Sequence, residues 1–173
     1  MKMALKIGST WRWEKWYKNK LIKSWKDRNL CTLEGRNYAM TMIFSSDLAS
    51  EAITTWHVLL FEDDYTPQSS DVYATPGFTE CTAYDEALRP GFQKGAISGA
   101  IISNESNRAS FTFNDSKTIY GGGIVGGGTD ADTKGDTAGG GILFNASQFS
   151  GGGEPVVDDM VLKVSIEISL TDV

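Results

Sequence analysis

Histidine occurs once in this 173-residue chain, at His57, and cysteine twice, at Cys31 and Cys81, fifty residues apart with no Cys-x-x-Cys spacing. A zinc site of nitrogen and sulfur ligands therefore has no ligand set to draw on. No apolar run approaches the roughly 18 residues a membrane-spanning helix needs, and the opening "MKMALKIGSTWRWEKW" lacks the apolar core of a secretory signal. The expectation is synthesis in the cytoplasm with reduced cysteines and no membrane partner. No Gly-x-Ser-x-Gly accompanies His57, so a serine-hydrolase triad has no nucleophile elbow. The carboxylate pairs Asp63–Asp64 and Asp158–Asp159 are adjacent in turns, where they face water, and nothing supplies an apolar pocket to separate their pKa values. Heptads and a fibre-type repeat are missing too. The sequence thus argues against an enzyme and names no catalytic residue, cofactor or metal.

What the chain does have is glycine, nineteen residues against four prolines, concentrated in "KTIYGGGIVGGGTDADTKGDTAGGGILFNAS" at 117–147. A phosphate-binding loop needs a helix behind it and a motif such as GxxxxGK[ST], and this stretch has neither. "DADTKGD" puts Asp130, Asp132 and Asp136 near calcium-loop positions, but Lys134 and Gly141 stand where ligands belong, so a solvated acidic turn is the reading. Glycine-lined strands joined by a flexible loop remain.

The strand signal is clearest at the end. In "LKVSIEISL", Leu162, Val164, Ile166, Ile168 and Leu170 alternate with polar residues, the period-two pattern of a strand with one face in a core. "SFTFN" repeats it with Phe111 and Phe113 inward, and "GAIIS", "KTIYGG" and "GILFNAS" are further short strands. "TTWHVLLF" at 54–61 reads as a buried strand followed by a long loop, and "EGRNYAMTMIF" as a helix over 34–44 with Tyr38, Met42 and either Ala39 or Ile43 on one face. The expected fold class is mainly β, a β-sandwich or jelly-roll-like module at 34–173 with one or two short helices and an N-terminal arm at 1–33.

That arm is basic. Residues 1–36 carry ten Lys/Arg against three Asp/Glu, a balance of +7, whereas residues 37–173 balance at −13. "WRWEKWYKNKLIKSWKDR" at 11–28 holds four of the five tryptophans and sets Trp13, Trp16, Tyr17, Leu21 and Trp25 close to a helical stripe. Trp11, Arg12, Trp13, Lys15, Trp16, Tyr17, Lys18 and Trp25 are the candidate interaction residues, packing on the chain's own domain or docking on a neighbouring subunit. Indoles interleaved with lysines also suit nucleic acid, but the −13 of the remainder repels a polyanion, so an acidic protein surface ranks above it.

From Trp56 onward the motifs form a series: a Trp-x-Val-x-Leu-Phe strand at 56–61, Tyr-Thr-Pro at 65–67, Tyr-x-Glu-Ala-x-Arg-Pro at 84–90, Ile-Tyr-Gly at 119–121, Gly-Ile-Leu-Phe-x-Ala-Ser at 141–147 and a closing Asp-x-x-Leu-x-Val strand at 159–164. With the "EGRNYAM" helix before it, this series resembles small virion proteins of tailed bacteriophages that look like capsid decoration, or cement, proteins. The resemblance implies a structural protein of the virion, made in the host cytoplasm, that sits on the capsid surface and bridges major capsid subunits as a homo-oligomer. By analogy with decoration proteins a trimer ranks ahead of a dimer. A low-copy tail, fibre or head-tail component is the alternative, and a nucleic-acid-binding arm the second.

Overall fold

The structure is a computed structural model and describes residues 5–172. It is mainly β, as expected, and every strand pairing is antiparallel. In chain order the elements are β1 (Leu5–Tyr17), β2 (Lys20–Arg28), β3 (Leu30–Cys31), α1 (Leu33–Phe44), α2 (Leu48–Glu51), β4 (Trp56–Phe61), β5 (Ile101–Ser103), β6 (Ala109–Thr112), β7 (Lys117–Ile119), β8 (Gly121–Gly126), β9 (Ile142–Gln148), β10 (Glu154–Val156) and β11 (Met160–Asp172). The first sheet runs β2-β1-β11, with β5 and β6 both on the far side of β11; the second runs β3-β9-β8-β4; β7 and β10 form a ribbon. No helix among the described residues is long and apolar enough to cross a membrane.

The core follows from alternation. Leu162, Val164 and Ile166 of β11 are buried, and the register sets Trp11 against Ile166 and Trp13 against Val164, so both indoles share that inward face. Val58 and Leu60 of β4 and Ile124 of β8 meet them from the second sheet. β4 shows no alternation because both its faces are covered. Leu59 and Phe61 turn to a second cluster with Tyr73, Phe78, Val125 and Leu143, partly contributed by the segments before β5 and before β9.

The glycines of β8 belong to this packing. All six residues of "GGGIVG" are buried. A Cβ on Gly122 would stand 2.6 Å from the Leu59 carbonyl oxygen, 3.0 Å from Trp13 Cη2 and 3.3 Å from Trp11 Cζ3. The glycine backbone is thus the floor on which two indoles of the first sheet rest, which no side chain at 122 permits. Gly122→Ala is expected to lower the unfolding free energy by about 1–3 kcal/mol. Chemical denaturation reads this directly, and a variant as stable as the parent would mean that the indoles have room to retreat.

The N-terminal segment requires a correction. Residues 11–28 are not helical but form the hairpin β1–β2, turned by Lys18 and Asn19 at φ 47° and 61°, the two-residue loop that hairpins favour. Nor is the segment an appended arm, since β1 lies inside the first sheet between β2 and β11. Its inward residues are Ser9, Trp11, Trp13 and Lys15. Lys15 hides that period of two, because a lysine in the inward series reads as a polar break. It is accommodated by Glu154, whose carboxylate accepts from its ammonium at 2.9 Å, with the Pro155 carbonyl at 3.2 Å. Burial lowers the Lys15 pKa from its ordinary value.

The other elements lie close to expectation. α1 spans 33–44 and half-buries Tyr38, Ala39 and Met42, leaving Ile43 exposed. Its N-cap Thr32 accepts from the Gly35 N–H at 3.0 Å. Cys31 and Cys81 are buried free thiols, each pushed up to about 11, chiefly by burial.

Candidate functional site

The densest buried polar cluster centres on Arg89, which reaches the interior from the irregular segment before β5. Its Nε donates to Glu80 Oε1 at 2.9 Å and its Nη2 to Glu80 Oε2 at 2.5 Å, a two-pronged pair. Nη1 donates to the Tyr73 hydroxyl at 3.1 Å and the Ala131 carbonyl at 3.0 Å, and Nη2 also to the Asp136 carbonyl at 2.9 Å. The Tyr73 hydroxyl in turn donates a hydrogen bond to Asp136 Oδ2 at 2.7 Å, and that carboxylate also accepts from the Gly139 N–H at 2.9 Å. Burial alone would lower the guanidinium pKa, but the Glu80 carboxylate reverses this and raises it. Burial and the bond to Asp136 push the Tyr73 phenol up to about 12. All five donors of Arg89 are used. The cluster is therefore saturated within the chain, and its work is to fasten the glycine-rich 127–141 segment to the segment that carries Tyr73 and Glu80.

The motif at 84–90 is structural throughout. Tyr84 is buried against Phe111, Glu86 accepts from the Thr112 N–H and hydroxyl in β6, and the Pro90 carbonyl accepts from the Val58 N–H of β4. His57 places Nδ1 3.3 Å from the Arg89 carbonyl oxygen. Asp136 is turned to Tyr73 and Asp130 to the Thr129 hydroxyl, and the described residues contain no group of three His, Cys, Asp or Glu arranged to hold a metal.

The eight candidate interaction residues separate by face. Trp11 and Trp13 are fully buried and Lys15 is buried, so these three are part of the interior and not docking anchors. The physical reason is the glycine floor of β8, which leaves room for the indoles between the sheets. Arg12, Trp16, Tyr17 and Trp25 are half-buried and Lys18 is exposed. Cations already lie over the rings that remain accessible: Lys163 Nζ is 5.0 Å from the Trp16 ring, Lys23 Nζ 5.1 Å from Trp25 and Lys18 Nζ 5.2 Å from Tyr17.

Two surfaces remain available. The first is β2, one edge of the first sheet, where Lys20, Lys26 and Arg28 are exposed and Lys23, also exposed, pairs with Glu154. A register shift between Lys15 and Trp16 pushes Ile22 out of the pairing, and Leu21 and Ile22 are exposed beside the lysines. The second is the outer face of α1 and α2. Gly35, the one buried residue of α1, lets the helix lie on β9, since a Cβ there would be 2.2 Å from the Phe144 carbonyl oxygen. Outward, Leu33, Met40, Ile43, Phe44 and Leu48 are exposed, Phe44 to 74%. Sequence reasoning found the inner stripe of α1 but not this outer one, although its 33, 40, 43, 44 spacing was there to be read.

Comparison with protein-family models, with curated proteins and with solved structures finds no match to this chain.

Proposed function

We propose that this protein is a structural component of a phage virion, a decoration protein that binds major capsid subunits on the outside of the capsid in many copies. The motif series from Trp56 to Val164 supplies the class. The observation that carries the reading is the basic edge strand β2 with Leu21 and Ile22 exposed among its lysines, on a chain whose residues 37–173 balance at −13. Lysines along an edge deter strand addition, so a partner meets this edge through side chains, by charge and apolar contact together. The saturated Arg89 cluster supports a rigid module in place of a reactive site. Nucleic acid is the weaker partner for the edge, because two of the four indoles that would stack on bases lie in the core.

Copy number tests the reading. Quantifying the protein against the major capsid protein in purified particles is expected to give a ratio near unity, whereas a handful of copies per particle would assign it to the tail. With particles as the binding partner, Lys20→Glu together with Lys26→Glu should weaken attachment about tenfold at low salt, since each exposed charge is worth under about 1 kcal/mol. Unchanged attachment would remove β2 from the contact.

A further inference from the structure

On the side of the second sheet turned away from the indoles, a cavity of about 260 Å³ lies between the sheet and the Arg89 cluster. Its floor is apolar. Leu59 of β4, Val125 of β8 and Leu143 of β9 are buried there with Phe78, whose ring stacks on Phe61 with centroids 4.6 Å apart. Tyr73, Glu80 and Arg89 form a wall, and the exposed Thr79 and Thr137 stand at the mouth.

What that wall has left to offer decides the guest. The five donors of Arg89 are spent in its own plane, and Glu80 Oε2 accepts from the Gly135 N–H at 2.9 Å as well as from Arg89. Asp136, which also lines the cavity, gives Oδ2 to Tyr73 and Gly139 and Oδ1 to the Ala138 N–H at 3.3 Å. A charged guest therefore finds no free counter-charge: an anion meets two carboxylates, and a cation loses its water beside a guanidinium. The guest is neutral. A guanidinium whose edge is saturated still has its flat face, which stacks on aromatic rings, and Arg89 already lies 5.7 Å from the Tyr73 ring centroid. Tyr73 and Phe78 add aromatic walls, so a flat ring gains more here than an aliphatic guest of the same area. Size narrows the class: an apolar cavity of about 150 Å³ holds one benzene ring, and this one has room for two fused rings.

We propose that this cavity is a binding site for a small, neutral, flat aromatic molecule of one or two rings, taken up as a free solute. A single hydroxyl or ring N–H on the guest is met at the mouth by the Thr79 and Thr137 hydroxyls. Because Gly135, Asp136 and Thr137 belong to the wall and the mouth, an occupied cavity also tightens the glycine-rich 127–141 segment against the sheet. The site is separate from β2 and does not rest on the capsid reading.

The test uses the full chain, with indole as the probe, titrated to about 5 mM and followed by NMR and by thermal unfolding. Indole is expected to bind saturably with a Kd below about 1 mM, to raise the melting temperature, and to shift the methyl signals of Leu59, Val125 and Leu143 above all others. Indole-3-acetate and tryptamine, the same ring with a negative or a positive charge, should bind at least about tenfold more weakly. Thr137→Trp, at an exposed position, should plug the mouth and weaken indole binding about tenfold, with an unchanged melting temperature for the free protein. N-acetyltryptophanamide, which carries the ring on a peptide backbone, should bind more weakly than indole. Absence of saturable binding, methyl shifts centred elsewhere, a charged analogue as tight as indole, or a Thr137→Trp variant that binds like the parent would each overturn the proposal. N-acetyltryptophanamide binding more tightly than indole would overturn it too, and would assign the cavity to an aromatic side chain of a partner protein.

Discussion

Arg89→Ala is expected to lower the unfolding free energy by about 3–5 kcal/mol, a large part of the stability of a domain this size. The substitution leaves the buried Glu80 carboxylate without its partner and the Ala131 and Asp136 carbonyls without a donor. Glu80→Ala should cost a similar amount for the mirror-image reason. The double variant should cost clearly less than the sum, because no charge is then stranded. Hydrogen exchange should quicken first in residues 127–141, the segment that Arg89 fastens. Equilibrium denaturation decides the matter: a loss below about 1 kcal/mol for Arg89→Ala would mean that water replaces the guanidinium at little cost.

The same cluster sets an alkaline limit. The Tyr73 phenol is pushed from the ordinary tyrosine value up to about 12 in the fold, so its contribution is complete below that ordinary value and is lost as pH rises through about 12. Asp136 has the opposite sign. Its pKa is lowered, first by the Tyr73 hydroxyl and then by the Gly139 N–H, so its contribution is present at neutral pH and is lost in acid.

The residues that disclosed themselves in the sequence did so through local periodicity. β11 alternates from Leu162 to Leu170 and buries Leu162, Val164 and Ile166, with Ile168 half-buried and Leu170 exposed where the strand leaves the core, and α1 shows one stripe at helical spacing. β1 obeys the same rule, yet Lys15 occupies an inward position and Trp16 and Tyr17 complete a false helical stripe; Glu154, 139 residues away, and the Pro155 carbonyl make that lysine tolerable. The glycine run was legible as strand and loop, but the reason for Gly122 was not, since it lies in the pair of indoles from the opposite sheet. The Arg89 cluster joins positions 73, 80, 89 and 136, whose proximity no single stretch encodes. The outer stripe of α1 went unread for a different reason: apolar residues inside one chain are expected to face that chain's own core, and these do not.

Trp13→Ala should be the other severe substitution, lowering stability by about 3–5 kcal/mol. The indole is fully buried, stacked on Trp11 at 5.0 Å between centroids, edge-on to Phe149 at 4.7 Å and beneath Trp25 at 6.4 Å. Trp13→Phe keeps an aromatic ring at the site and removes less volume, so it should cost less than Trp13→Ala. The second test lies across the core. Gly122 admits no Cβ partly because Trp13 Cη2 stands 3.0 Å from where it would be, so removing the indole relieves part of the cost of Gly122→Ala. The Leu59 carbonyl, at 2.6 Å, keeps the relief incomplete. The cycle of Trp13→Ala and Gly122→Ala is therefore expected to show a coupling of at least about 0.5 kcal/mol in the favourable direction. An indole that served instead as a docking anchor would give the reverse pattern: Trp13→Ala would leave the denaturation midpoint where it was, show no coupling to Gly122, and reduce attachment to particles.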